Sequence, residues 1–279
     1  MAYLGQFVEF EFQRNALLVG LLVTLCAALL GVTLVLQRYS MIGDGLSHVG
    51  FGALAVAAAL RWAPLPVSMA AVIITAFLLL RSSNVKLRGD AAIAILSTGC
   101  LAVGMLAVSL AGGSNIDLMG YMFGSIWSLS KTEVLLGACL CAAVLPGFAW
   151  LYHRIFSVTF DAAFARATGV RTGLYQLLTA MLASCTIVLG MRMLGTLLIS
   201  SLVIFPALIS MRVCKSFRSV TLCSGVVSVL CFLIGFIFSS AGPRGLPTGA
   251  TIVAVNLCAF GLFALVGGIR GRNRRHCEE

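Results

Sequence analysis

Apolar residues run along this chain in nine stretches, approximately 15–37, 41–60, 66–80, 91–112, 132–152, 173–191, 194–212, 219–239 and 248–269, separated by short polar breaks. A helix that crosses the hydrocarbon of a bilayer needs roughly 20 mostly apolar residues, and most of these stretches are about that long. The strict alternation expected of a membrane β-barrel is absent. The pattern predicts an all-α, polytopic transmembrane bundle of eight to nine helices, forming a single domain over residues 1–279. Two places leave the count open. Asp44 and His48 interrupt the second run, and only Arg192 and its neighbours separate the sixth run from the seventh. Either could be a broken or re-entrant element rather than a full span.

Two connections exceed a tight turn. One covers Ala111–Lys131. The other, about 153–172, contains Phe160, Ala163, Phe164 and Ala167 at helical spacing, with Asp161 near the start and Gly169 after the end. Asp suits the first turn of a helix and Gly its C-terminal stop, so this connection is expected to hold a short amphipathic helix. Such a helix can lie flat on the lipid surface or serve as a docking element for a soluble partner, and the pattern leaves both open.

Composition agrees with the spans: 60% of the residues are hydrophobic and 10% are charged, too little polar surface for a soluble domain of this length. The first run ends at Arg38 without a small-residue cleavage pattern and reads as a retained helix. The net charge of +10 does not indicate nucleic acid. The basic residues sit singly or in small groups between apolar runs, as topology signals do. With Arg81–Arg88 cytoplasmic and every run crossing, 14 of the 19 basic residues fall inside and 5 outside. The bias predicts an outer N-terminus and a cytoplasmic, basic C-terminal tail at 270–279. Both connections are then assigned sides: Ala111–Lys131 outside and 153–172 inside. The ten cysteines show neither a CxxC pair nor zinc-finger spacing and read as small buried hydrophobes. Cys139 and Cys141, two apart, should face different ways.

Most ionisable groups have a structural explanation. Glu9, Glu11, Glu278, Glu279 and His276 lie in the tails, Asp90 and Glu133 start apolar runs and can cap them, Asp117 and Asp161 lie in connections, and His153 sits at a helix end. Asp44 and His48, in MIGDGLSHVGFGALAVA, differ. Four residues apart, they share a helix face, and an ionisable group at bilayer depth costs about 2.5–3.5 kcal/mol or more. A carboxylate and an imidazole form half of a divalent-metal site. They could equally form an internal hydrogen bond, or Asp44 could cap a helix that starts there. A symmetric dimer would double the set. That N/O mixture suits Zn²⁺, Mn²⁺ or Fe²⁺ and lacks the sulfur ligands that select Cu⁺.

Pro206 falls inside LGTLLISSLVIFPALISMR and should kink its helix, with Ser200 and Ser201 available to satisfy the freed carbonyls or to bond a neighbour. No phosphate loop, kinase or hydrolase motif is present. The chain is therefore expected to be no enzyme, and ATP, if used, must be bound by another chain.

Four segments together resemble the ABC-3 family of permeases, the membrane subunits of bacterial importers for zinc, manganese and ferrous iron: MIGDGLSHVGFG (41–52), DLMGYMFGSIWSLS (117–130), FDAAFARATGV (160–170) and GTLLISSLVIFPALISMR (195–212). PTGATIV (247–253) adds a weaker match. The resemblance covers nearly the whole chain. It implies a type II-like importer permease in the bacterial inner membrane and a homodimeric pore. It also implies two copies of a cytoplasmic ATPase carrying ATP and Mg²⁺, and an extracytoplasmic metal-binding protein. No cofactor would be bound by this chain, and Zn²⁺ or Mn²⁺ would pass as substrate. Asp44 and His48 match the family's intramembrane metal-contacting pair. The 160–170 segment, with Phe160, Asp161, Phe164, Ala165 and Gly169, matches its ATPase-coupling region. Val49 stands where the family often has Ala. Rival readings are a permease for an iron chelate or vitamin, which needs no ligating pair, and an ion-driven secondary transporter, which would show internal repeats or further membrane carboxylates. A membrane-embedded enzyme would need more convergent acid–base groups.

Overall fold

A computed structural model describes residues 11–37, 41–81, 89–111, 124, 130–241 and 247–275. The segments around Lys86, Asp117 and Arg244, and the tail residues Glu9, His276, Glu278 and Glu279, lie outside the described residues, as do the side chains of Glu11 and Asp90. Among the described residues every regular element is helical. In chain order they are α1 (Glu11–Leu36), α2 (Ile42–Ala59), α3 (Pro64–Arg81), α4 (Gly89–Leu110), α5 (Lys131–Phe160), α6 (Ala162–Ala167), α7 (Thr172–Leu194), α8 (Thr196–Val213), α9 (Phe217–Ala241) and α10 (Thr248–Arg275). Eight are long and apolar enough to cross a membrane, and α3 supplies a shorter apolar segment, Pro64–Leu79. The protein is a multi-pass membrane bundle.

The helices alternate in direction. At one end Gln37 Nε2 donates to Thr159 Oγ1 across 3.2 Å, and the Tyr152 and Phe156 rings pack at a tilt against Phe217. At the other, Arg192 meets Glu133, and Gly190 of α7 packs on Ile199 of α8. Each contact joins helix ends that a simple up-and-down path puts on one side. The first end is the one to which the charge bias assigns the cytoplasm. The sixth and seventh runs are separate helices, α7 and α8, joined through Gly195 alone. Its φ of 93° and ψ of 157° are open to glycine and strained for any other residue. Gly124, also at positive φ, lies against this corner so closely that a Cβ would strike the Leu194 carbonyl.

α1, α2, α7 and α8 are mostly buried, whereas α4, α5 and α10 are mostly exposed. The core therefore consists of the inner helices, with Val23, Leu30, Leu46, Met191, Leu198 and Leu202 among its fully buried members. In a bilayer, close packing rather than water exclusion holds helices together, and small residues permit it. A Cβ on Gly31 would strike the Val203 carbonyl, and one on Gly52 the Cys100 carbonyl.

The second long connection is shorter than the apolar pattern suggested. α5 continues to Phe160, because nothing in 153–160 breaks a helix and its aromatic side chains find partners in α9. Only Asp161–Arg171, with α6 inside it, remains between α5 and α7. α5 also contains Pro146 without ending there. Ser200 and Ser201 do not serve the carbonyl freed by Pro206. They bond Leu197 O and Leu198 O in their own turns, because a serine hydroxyl reaches back only three or four residues. Cys139 is exposed and Cys141 buried, as two positions on one helix should be.

Candidate functional site

α2 opens at Ile42, so Asp44 lies in its first turn and His48 one turn on. Met41, not Asp44, occupies the cap position, and no side chain caps the helix. His48 Nε2 is 3.6 Å from Asp44 Oδ1, with side chains 24% and 40% exposed respectively. The pair shares a face, as i and i+4 positions must, and an ion pair of this length exists when the imidazole is protonated. Ser47 turns its hydroxyl to the Asp44 carbonyl at 2.7 Å and leaves the carboxylate free of it.

The glycines of α2 set the depth of the pair. A Cβ on Gly43 would lie 3.3 Å from Val203 Cγ1, near the middle of α8, and one on Gly50 3.3 Å from Met191 Cε in the last turn of α7. Asp44 and His48 fall between these levels. The helix therefore starts inside the bundle, level with the middle of α8. Gly45 and Gly52 bring α4 onto one side of α2, through Ile93 and Cys100, while Gly43 and Gly50 bring α8, α3 and α7 onto the other. Asp44 and His48 project from the face left between. Farther along that face Phe51 and Ala55 are buried, so the opening is confined to the first two turns.

The chain by itself brings too few donors together. Among the described residues no group of three His, Cys, Asp or Glu side chains is placed to hold a metal. Two donors leave at least two positions of a four-coordinate ion unfilled.

The short helix predicted between the fifth and sixth runs is present as α6. Asp161 caps it, its Oδ1 accepting from Ala163 N at 2.9 Å and Phe164 N at 2.8 Å. At the other end Gly169, at φ 85°, lets Val170 N donate to Ala165 O and Gly169 N to Arg166 O, the paired bonds of a Schellman stop. Ala165 is 1% exposed and anchors α6, whereas Phe164 is 66% exposed. Ala163 and Ala167 are exposed beside it. The apolar face read from the spacing thus points away from the bundle. Phe160 belongs to α5 and packs on Phe156 and Phe217. His153 is exposed and lies against the Tyr152 ring.

Sequence reasoning placed Glu133 as a cap, and Ser130 and Glu133 do form a reciprocal capping box. It missed that Glu133 Oε1 also accepts from Arg192 Nε at 2.9 Å, because no local period relates residues on α5 and α7.

A family model described as ABC 3 transport family matches residues 9–267. The chain belongs to the ABC 3 transport family. The chain is 30% identical over 261 residues to a probable metal transport system membrane protein of Thermotoga maritima, covering 93% of this chain and 92% of the relative. It is 27% identical over 262 residues to the high-affinity zinc uptake system membrane protein ZnuB of Haemophilus influenzae, with 92% and 97% covered. The fold matches a chain of PsaBC from Streptococcus pneumoniae, solved in complex with a Fab, at a TM-score of 0.82 and 24% identity over 94% of each chain. For an ABC 3 permease the α2 pair and the α6 turn are the two places where chemistry and geometry coincide.

Proposed function

We propose that this chain is the membrane-spanning subunit of an ATP-binding cassette importer that passes a divalent transition-metal ion, Zn²⁺ or Mn²⁺ or Fe²⁺, into the bacterial cytoplasm. The observation that carries the reading is the Asp44–His48 pair, 3.6 Å apart, on a helix that begins inside the bundle. Its relatives, a probable metal transport membrane protein and a zinc uptake membrane protein, support a metal as the cargo.

Two protomers facing each other across a two-fold axis would contribute two carboxylates and two imidazoles. The partial exposure of the pair within one protomer supports this arrangement. Oxygen and nitrogen donors suit Zn²⁺, Mn²⁺ and Fe²⁺ alike, and a transport site must release what it holds. An extracytoplasmic binding protein would deliver the ion. Two copies of a cytoplasmic ATPase, holding ATP and Mg²⁺, would act on each protomer through α6, where Asp161, Ala165 and Gly169 hold the turn and Phe164 faces outward. Phe160 would brace the turn against α9. Pro206, buried in α8, would let that helix bend as access alternates.

The test is uptake of zinc, manganese and iron by cells carrying the chain with its ATPase and binding protein. Asp44→Asn and His48→Ala should each abolish uptake at normal membrane levels. Full uptake by both variants would remove the pair from the pathway.

A further inference from the structure

α3 and α4 both pack on α2 and hardly on each other. Between them they leave a groove of about 460 Å³, with Val49 and Val56 of α2 in its floor, Val67 and Thr75 on the α3 wall, and Gly99 and Val103 on the α4 wall. Thr75 carries the only hydroxyl in the lining. Val67 and Thr75 lie about 12 Å apart along α3, so the groove runs through most of one leaflet, half of a hydrocarbon core about 30 Å thick. A Cβ on Gly99 would meet nothing within 4 Å, which leaves the groove open at that wall. Its rims are apolar and face outward, with Ile74 and Val103 both 58% exposed. The groove opens on a different face of α2 from the Asp44–His48 pair, along whose face Phe51 and Ala55 are buried.

The end of the groove marked by Val56 and Val67 leads to the α2–α3 turn, and that turn carries a charge. α2 closes with Trp62 N donating to Ala57 O at 2.8 Å and Arg61 N to Ala58 O at 3.1 Å, the paired bonds of a Schellman stop. The residue at its left-handed corner, where glycine is usual, is Arg61, at φ 58°. Arg61 and Trp62 are both exposed. Among the described side chains, Asp44 faces His48, Glu133 holds Arg192 and Asp161 caps α6. No carboxylate among them answers Arg61.

We infer that the groove between α3 and α4 holds one acyl chain of an anionic phospholipid of the outer leaflet, with the phosphate on Arg61. The slot is apolar, has the length of a chain within one leaflet, and opens sideways among side chains that face hydrocarbon. Arg61 supplies the positive charge and the forked donors that suit a phosphate. Trp62 beside it has the amphipathic ring that settles at headgroup level, and the charge bias puts this turn outside. A second copy of the chain seated here would bring no described carboxylate to Arg61, whereas a phospholipid fills the slot and answers the charge together. The assignment depends on the membrane-spanning fold and not on which ion the chain passes.

The experiment is native mass spectrometry of the purified full-length protein with added phosphatidylglycerol or phosphatidylethanolamine, which reads retained lipid and oligomeric state in one spectrum. Gly99→Phe fills the groove from a position whose Cβ touches nothing. Val103→Trp narrows it from the exposed rim, so a folding failure in either variant leaves the other to decide. Arg61→Gly suits the left-handed corner and removes the charge. Gly261→Phe on α10, where a Cβ also meets nothing within 4 Å, is the control. Wild type should retain one phosphatidylglycerol per chain in preference to phosphatidylethanolamine. Gly99→Phe and Val103→Trp should lose it, and Gly261→Phe should keep it. Arg61→Gly should bind phosphatidylglycerol about fivefold more weakly, which is what one basic residue contributes at an anionic surface. Equal retention by wild type and both groove variants would overturn the assignment, as would equal affinity in Arg61→Gly. Loss of an oligomer in the groove variants with lipid retention unchanged would overturn it in favour of a second copy as the occupant.

Discussion

Arg192 Nε lies 2.9 Å from Glu133 Oε1 and ties the last turn of α7 to the first turn of α5. The same carboxylate closes a capping box with Ser130. Glu133 therefore holds its own helix start and a neighbouring helix end at once, at the end of the bundle assigned to the outer side. The two side chains remain partly exposed, so their coupling should be modest. A double-mutant cycle with Glu133→Gln and Arg192→Met, read by thermal unfolding in detergent, should give an interaction of about 1 kcal/mol, the upper end for exposed pairs. Strict additivity of the two substitutions would show that the contact contributes nothing.

Asp161→Ala removes the acceptor for Ala163 N and Phe164 N and should destabilise α6 by about 1 kcal/mol. Asparagine caps nearly as well as aspartate, so Asp161→Asn should keep uptake near the wild-type level while Asp161→Ala reduces it. Uptake rate at matched membrane levels is the measurement. Equal loss in both variants would mean that the charge, not the cap, matters.

Gly52 and Gly99 make opposite predictions. A Cβ on Gly52 would collide with the Cys100 carbonyl, whereas one on Gly99 meets nothing within 4 Å. Gly52→Ala should force α2 from α4 and lower the thermal midpoint. Gly99→Ala should raise it or leave it unchanged, because alanine in a helix interior is favoured over glycine by roughly 0.8–1.0 kcal/mol. The same ordering should hold for survival of the folded protein during heating in detergent.

Pro206→Ala restores a backbone donor that can reach the Leu202 carbonyl. The variant should be at least as thermally stable as wild type. If bending of α8 at Pro206 serves alternating access, uptake should slow even so. A stable variant with full uptake would reduce Pro206 to a packing residue.

Gly195→Ala should be the most damaging substitution at a corner. With φ at 93° and ψ at 157°, a Cβ there carries strain on the order of 1–3 kcal/mol. Membrane levels of the variant, compared with those of Gly173→Ala, should fall. A Cβ on Gly173 would meet nothing within 4 Å, and its φ is not positive.

The existence and order of the spans were legible in the sequence because hydrocarbon imposes one strict requirement. Every backbone donor must be satisfied within the segment, which a long apolar helix does by itself. The shared face of Asp44 and His48 was legible for a similar reason, since it follows from helix pitch alone. So were the cap at Asp161, the stop at Gly169 and the capping role of Glu133, all of which act within a few residues. What only the tertiary structure decided involves residues far apart in the chain. The depth of Asp44 and His48 depends on where Gly43 and Gly50 let α8 and α7 approach. The outward direction of Phe164 depends on Ala165 finding a buried place. The partner of Glu133 lies 59 residues away. Such contacts are set by close packing of small residues between helices, and a one-dimensional pattern of apolar and polar positions carries no record of which helices become neighbours.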